Sequence, residues 1–325
     1  MSALEKTTLV TAPLRASEKA RSHSLWREML RNWRVYIMLA PNLVLFALFT
    51  AYPIVWALRY MFYDWDGLSN PTYVGLDNFV RVFTHDSMFW QSVVNTFVFA
   101  SGKLLITVPL SLVLAVLLNG KLRASGLFRI IYFTPTIMGA AVMSLVFYLI
   151  FNPYNGALNQ LLRAIGAVRR PIDWLGVGYA MFSVIVVAVW GAVGNYMVLF
   201  LAGLQTIPRE LYEAAEIDGA TKRDQFFFIT LPQLGPVLQI VLLLAIINAF
   251  KGYESIMVLT GGGPAGKTQV MFLYIYQLFF PISVGDVNFQ PQFGYGAAAG
   301  LVASGILGVI TVVYLWSSRN MGKTE

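Results

Sequence analysis

The 325-residue chain contains no cysteine and only two histidines, His23 and His85. No disulfide framework, thiolate metal site or cysteine nucleophile is open to it. The two histidines lie in different segments, which argues against a histidine-based metal centre. Charge is scarce as well: Asp, Glu, Lys and Arg make up 12% of the residues, against about 25% in ordinary soluble domains. The apolar share is 57% and the mean hydropathy +0.64. Too little polar surface is left to cover a soluble globule, and the same composition excludes disorder. The chain reads as a polytopic membrane protein.

Gaps between charges mark the spans. Val35 to Leu58, Ile130 to Leu162, Trp174 to Pro208, Gln225 to Phe250 and Val287 to Ser318 are charge-free, and Ser87 to Gly120 carries only Lys103. About 20 apolar residues cross the hydrocarbon core as a helix. Six transmembrane helices are expected, near residues 35–58, 92–118, 128–151, 180–203, 234–260 and 294–316. The runs are continuous rather than alternating in short segments, so the expected fold class is all-α and not a barrel.

Lys and Arg set the orientation. With the N-terminus inside, the cytosolic segments hold fifteen of them and the outer loops six. Both termini are therefore expected in the cytosol. The net charge of +7 follows largely from this bias. It needs a lipid bilayer as neighbour and no nucleic acid. The division expected is a polar tail over 1–34, a first helix and outer loop over 35–89, a core transmembrane domain over 90–317, and a short tail over 318–325. The N-terminal tail is too long and too polar to open a cleavable signal peptide. Trp26, Trp33 and Tyr36 fall where aromatic rings favour the headgroup level.

The sharpest feature is the polar loop between the fourth and fifth spans, residues 204–233, which contains IPRELYEAAEIDGATKRDQFFFITLP from 207 to 232. Pro208 suits the first position of a helix, where its missing N–H costs nothing. Glu210 and Glu213 favour the positive end of that helix, and Gly219 can take the left-handed conformation that stops it. Thr221 and Asp224 have capping-box spacing for a second helix. Phe226, Phe227 and Phe228 fit the membrane interface, and Pro232 marks the turn into the fifth span. Ala214 and Ala215 are small enough to let a partner approach the backbone, and Glu213 offers it a carboxylate. A plain amphipathic connector would need none of these features together.

Gly261 to Thr268 reads GGGPAGKT and matches the phosphate-cradling pattern G-x-x-x-x-G-K-T. A working loop of that kind follows a strand and needs an acidic magnesium ligand. Here a membrane helix precedes it, and by parity it faces outside. It is read as a glycine-rich outer turn.

Polar groups within spans default to function. Asn248, Lys251 and Glu254 recur every three residues and are expected on one helical face. Phe250 and Tyr253 lie near it, so aromatic surface stands beside hydrogen-bonding groups. A structural Lys251–Glu254 ion pair is the other reading of that face. Asn195, Asn95 and Lys103 are weaker candidates; the other readings are that Lys103 pairs with a neighbouring subunit and that Asn95 bonds across helices. Gly296, Gly300, Ser304 and Gly308 form a small-residue stripe, for contact with another subunit or within the chain. His85 and Asp86 are neighbours without a nucleophile and read as surface. Asp64, Asp66 and Asp77 lack calcium-loop spacing.

Glu213-Ala214-Ala215, then Gly219, Ile229 and Leu231-Pro232 at their spacings, resemble the EAA signature of membrane subunits of binding-protein-dependent ABC importers. The stretches AFKGYESIMVLTGGGPAGKT (249–268), YIYQLFF (274–280) and FGYGAAAG (293–300) narrow the resemblance to the first of the two permease subunits in carbohydrate importers of the maltose and glycerol-phosphate type. This resemblance implies a type I ABC importer transmembrane domain in the inner membrane of a bacterial-type cell. Its implied partners are a second homologous permease, two cytosolic ATPase subunits, an outer substrate-binding protein and a carbohydrate. It implies a non-catalytic subunit with no cofactor or metal of its own, ATP and Mg being held by the ATPase subunits. Glu213, Ala214, Ala215, Asp218, Gly219, Ile229, Leu231 and Pro232 would then receive motion from an ATPase subunit. Asn195, Asn248, Phe250, Lys251, Tyr253 and Glu254 would line the substrate path. Gly261, Gly262, Gly263 and Pro264 would lie on the binding-protein side. The competing class is a self-sufficient six-helix secondary transporter, whose usual signs are inverted repeats and intramembrane acids. No clear repeat is present, and Glu254 is the only acid within a span.

Overall fold

The computed structural model describes residues 32–120, 124–280 and 291–321, with side chains described as far as Ser318. His23, Trp26 and nearly all of the 1–34 tail lie outside the described residues, as does the end of the C-terminal tail. The described residues form two compact units, divided between Trp56 and Ala57.

The first unit holds helix α1 (Trp33–Phe46), a π-helical turn, Ala47–Ala51, and the start of α2 (Tyr52–Tyr60). Pro53 lacks an N–H for the carbonyl four residues earlier, inside the widened turn, and π-bulges commonly absorb such mismatches.

The second unit opens with a two-stranded antiparallel hairpin, β1 (Tyr63–Asp64) and β2 (Thr72–Tyr73). Its turn is pinned by Asp66, whose Oδ1 accepts from the Leu68 and Ser69 amides at 2.9 and 2.7 Å. These bonds hold the exposed Asp66 carboxyl down to about 2. Helix α3 (Asp77–Thr84) follows, tied to the hairpin by Asn78, which donates to the carbonyls of Met61 and Tyr63.

Two long helices carry the centre, α4 (Ser87–Asn119) and α8 (Ala180–Leu204). In a membrane, lipid is as apolar as leucine, so small residues and interhelical hydrogen bonds set helix packing more than hydrophobic burial does. The crossings agree. Ser111 of α4 donates to the Val193 carbonyl of α8 at 2.9 Å. A side chain at Gly194 would lie 2.1 Å from the Tyr132 carbonyl of the crossing helix.

Between these two helices in sequence come α5 (Ser125–Ile137), α6 (Ala140–Ile150) and the short α7 (Ala157–Ala164). The span expected as one helix over 128–151 is therefore two, meeting at 99°. Pro135 removes a backbone donor, and Met138 and Gly139 are extended, so no helical ladder crosses the break. After α8 come α9 (Arg209–Ile217), the one-turn helix α10 (Lys222–Gln225), a π-turn at Phe226–Thr230, and α11 (Leu231–Gln233). The fifth span is also interrupted: α12 (Gly235–Lys251) stops at Gly252, and α13 (Glu254–Leu259) starts two residues on. Helices α14 (Met271–Phe279) and α15 (Phe293–Met321) complete the unit. Among the described residues, five helices are long and apolar enough to cross a membrane, and six if the bent pair is counted as one span.

The buried core is layered along the bundle. Phe89, Phe250, Tyr274, Tyr295 and Ala299 form a cluster at one end. Phe99, Val184, Ile256 and Leu273 form the next. Leu118, Phe200, Leu204, Ile207 and Leu234 close the end from which α9 projects. Gly296 of the small-residue stripe packs internally, against Leu278 and Phe279 of α14, whereas an added Cβ at Gly308 meets nothing.

Candidate functional site

The polar loop folds into a rigid elbow. Pro208 is extended at the N-cap, one residue earlier than expected, and Arg209 begins α9. Glu210 lies in the first turn, where the helix dipole favours an acid. Gly219 has φ +80, with open space where a Cβ would stand. It ends α9 by conformation alone. The turn then delivers Thr221 as the N-cap of α10, with both bonds of the capping box formed to Asp224. Glu216 and Lys222 pair across the turn. The Lys222 ammonium lowers the Glu216 carboxyl below its usual range, and the Thr221 hydroxyl and amide lower that of Asp224. Tyr212 and Thr230 join the two arms through their hydroxyls at 2.9 Å.

The elbow turns its anchors inward and its signature outward. Ile207, Gln225, Thr230 and Leu234 are buried, Ala215, Ile229 and Leu231 are half-buried, and Glu213, Ala214, Asp218, Gly219 and Pro232 are exposed. Ile217 at its tip is 88% exposed. A bare apolar side chain beside carboxylates at the end of a capped helix is suited to a partner's pocket.

A cavity of about 320 Å³ lies where the two interrupted spans meet α4 and α8. Pro135, Thr136, Met138 and Ala140 line it from the α5–α6 break, and Asn248, Lys251, Gly252 and Glu254 from the α12–α13 break. Lys103 of α4 and Gly191 of α8 complete the lining. Interrupted helices expose backbone donors and acceptors that an intact helix would consume. Asn248 and Lys251 share a face of α12, while Glu254 opens a separate helix, so a break and not a helical stripe brings the three together. Among the described residues no ion pair joins Lys251 to Glu254.

The other expected path residues are placed elsewhere. Phe250 is buried in the core and edge-on to Phe97, with ring centroids 5.1 Å apart. Tyr253 packs on Tyr276 at 5.5 Å. Asn195 is exposed on α8 outside the cavity wall.

The glycine-rich segment is a closed turn between α13 and α14. The amides of Gly261, Gly263, Lys267, Thr268 and Gln269 all donate to carbonyls within residues 256–266. They are turned inward and are not offered to a phosphate. Gly261 and Gly262 take positive φ, and a side chain at Gly262 would collide with Gln269. Asn95, deep in α4, holds this turn from below by donating to the carbonyls of Gly266 and Gln269, each at 2.9 Å.

Asp86 has a role that its neighbour His85 conceals in the sequence. One carboxylate oxygen caps α4 by accepting from the Phe89 amide. The other accepts from the hydroxyls of Tyr274 and Tyr295. The Arg81 guanidinium lies 4.0 Å from the Tyr295 ring centroid. The fitting signal was N-cap chemistry before a long apolar run, but the tyrosine partners are too distant in sequence to be paired by spacing.

Long apolar spans around a polar cavity, with a capped polar elbow at one end, define a membrane transport subunit. The family model of the binding-protein-dependent transport system inner membrane component matches residues 107–323, and the chain belongs to that family. It is a permease subunit of an ABC transporter, located in the inner membrane. It is 38% identical over 271 residues to the probable ABC transporter permease protein YurN of Bacillus subtilis (strain 168), covering 82% of this chain and 89% of that protein. It is 33% identical over 288 residues to the lactose transport system permease protein LacF of Rhizobium radiobacter, covering 87% and 93%. A crystal structure of a bacterial alginate ABC transporter, in complex with an alginate pentasaccharide-bound periplasmic protein, contains a similar chain. Its TM-score is 0.79 at 25% identity, covering 92% of this chain and 99% of that one. The fold is that of a type I ABC importer permease, and the self-sufficient secondary transporter is not favoured.

Proposed function

We propose that this chain is the first of two homologous permease subunits that take a sugar or sugar derivative from an outer binding protein and pass it inward by alternating access. The observation that carries the mechanism is the elbow: a capped helix, stopped by Gly219 at φ +80, that presents Glu213, Ala214 and Asp218 outward while Ile207 and Leu234 root it beneath α8 and α12. On this reading it seats in a cleft of a cytosolic ATPase subunit. ATP and Mg belong to that subunit, and both termini of this chain lie in the cytosol. Closure of the ATPase pair displaces the elbow, tilts α8 and α12, and changes access to the cavity between them. Such coupling requires that the ATPase contact differ between the two states. The glycine-rich turn at Gly261, Gly262, Gly263 and Pro264 faces the binding protein. Sugar as cargo draws on relatives such as the lactose permease protein and on the polar lining of the cavity.

The test is ATP-driven uptake by the assembled complex in proteoliposomes, with Glu213→Lys and Gly219→Pro introduced together. Loss of uptake with the cavity residues untouched is the expected result. Undiminished uptake would remove the elbow from the coupling path. Uptake by the isolated chain on an ion gradient would remove the importer reading altogether.

A further inference from the structure

The charges around the cavity do not balance. Lys103, Lys251 and Glu254 all line it, giving two ammonium groups against one carboxylate. Among the described residues none of the three has an ion-pair partner, and none of their side chains makes a hydrogen bond. The Lys103 ammonium lies 5.9 Å from the Phe99 ring centroid, and its own helix offers no acid from Ser87 to Asn119.

The helix ends do not alter this sum. The carbonyl end of α5 and the N–H end of α6 open on the same space, as do Lys251 at the end of α12 and Glu254 at the start of α13. At each break a carbonyl end of partial negative charge adjoins an N–H end of partial positive charge, and the two largely offset one another. The sign is left to the side chains, and the extra one is Lys103.

An uncompensated cation at membrane depth is costly and marks a pathway by default. A neutral saccharide needs only hydroxyl and amide partners, which Thr136, Asn248 and Ser255 already supply. Nothing in recognising hydroxyl groups calls for a second ammonium. A carboxylate or phosphate does, because a charge-assisted hydrogen bond to lysine is roughly twice as strong as a neutral one. The cavity volume of about 320 Å³ lies at the lower end of the range for small-molecule sites, about 300–1,000 Å³.

We infer that the cargo is an anionic saccharide, one acidic group of which sits between Lys103 and Lys251 while Glu254 and Asn248 take its hydroxyls. This rests on the importer reading and adds the sign of the substrate to it. Glu254 then serves a second purpose: a lone carboxylate beside two ammonium groups moderates their hold, so that the cargo can leave.

The test uses the detergent-solubilised complex of this chain with its partner permease and ATPase subunits, without the binding protein. Binding is measured by calorimetry for digalacturonate, glucose 1-phosphate and the neutral cellobiose. At least one anionic probe is expected to bind about tenfold or more tightly than cellobiose, and which one distinguishes a carboxylate from a phosphate. The preference should vanish in the Lys103→Gln, Lys251→Gln double variant and survive in the Lys→Arg double variant. Equal or tighter cellobiose binding, no binding of any probe, or a preference unmoved by Lys→Gln would overturn the inference. So would loss of the partner permease from the Lys103→Gln complex with the preference intact, since Lys103 would then be an assembly residue. A complex that binds cellobiose best but couples ATP hydrolysis to uptake retains the importer function and loses only the anionic cargo. Failure of the ATPase to assemble with this chain removes the importer function itself.

Discussion

Asn95 and Gly266 are 171 positions apart in the chain and joined by a 2.9 Å hydrogen bond from the Asn95 amide to the Gly266 carbonyl. The same amide nitrogen donates to Gln269, so one side chain of α4 carries the near side of the glycine-rich turn. Thr96 beside it accepts from the Met271 amide at 2.9 Å. Asn95→Ala removes the side-chain donor from both carbonyls; Gly266 keeps the Gln269 amide, so the cost is that of the Gln269 carbonyl, about 1–3 kcal/mol for a buried group. The purified complex should melt at a lower temperature, and trypsin should reach Lys267 sooner than in the parent. Asn95→Asp should be at least as damaging, because its carboxylate would face two carbonyls. Unchanged melting and cleavage in both variants would contradict the clamp.

Tyr274 and Tyr295 share one oxygen of Asp86. Burial raises the Tyr274 hydroxyl above the ordinary tyrosine value, and the hydrogen bond to the Asp86 carboxylate and its charge raise it further. A raised value means that this contribution to stability is complete below about pH 10, the ordinary tyrosine value, and is lost as pH rises through the higher folded value. Ultraviolet titration of the folded complex should find a tyrosine that does not ionise near pH 10. In Asp86→Ala that tyrosine should ionise at lower pH than in the parent.

The elbow should have the opposite response to acid. Glu216 is lowered by Lys222 and Asp224 by Thr221. Both groups favour the folded elbow above the unfolded carboxylate range of about 4, and that support is lost as pH falls through their lowered values. Hydrogen exchange over residues 209–225 should quicken between pH 5 and pH 3 relative to α8. Thr221→Val should speed exchange at neutral pH and flatten the pH dependence. A flat profile in the parent would mean that these carboxylates do not hold the turn.

Gly194 and Gly305 separate packing from propensity. Both are helical glycines, but a Cβ on Gly194 would stand 2.1 Å from the Tyr132 carbonyl, whereas one on Gly305 meets nothing within 4 Å. Alanine at 194 must push α5 from α8, an overpacking cost of about 1–3 kcal/mol. Alanine at 305 should be neutral or stabilising by up to about 1 kcal/mol, the ordinary helix-propensity gain. Thermal unfolding of the two variants should move in opposite directions, or at 194 alone.

The span positions and the elbow were legible because their causes are local. A charge gap of helix length reports a span, and Gly219, Thr221 and Asp224 act within a few residues of themselves. The break in the third span carried a weaker local sign. Pro135 and Gly139 stood in plain view, but the run from Ile130 to Leu162 contains no charge to mark where one helix stops. The three-residue spacing of Asn248, Lys251 and Glu254 led to one cavity by way of a helical face that ends at Gly252. Asp86 read as a surface residue because its two tyrosines lie 188 and 209 positions downstream, a separation at which no periodicity speaks.

The 99° corner between α5 and α6 bears on how this polypeptide is made. Hydrocarbon offers nothing to the unpaired amides and carbonyls at such a corner, so bare lipid is not a permissible neighbour for it. Water or a companion protein must stand there from early in biogenesis. If the companion is the second permease proposed above, newly inserted copies that do not meet it are the ones a membrane protease should clear.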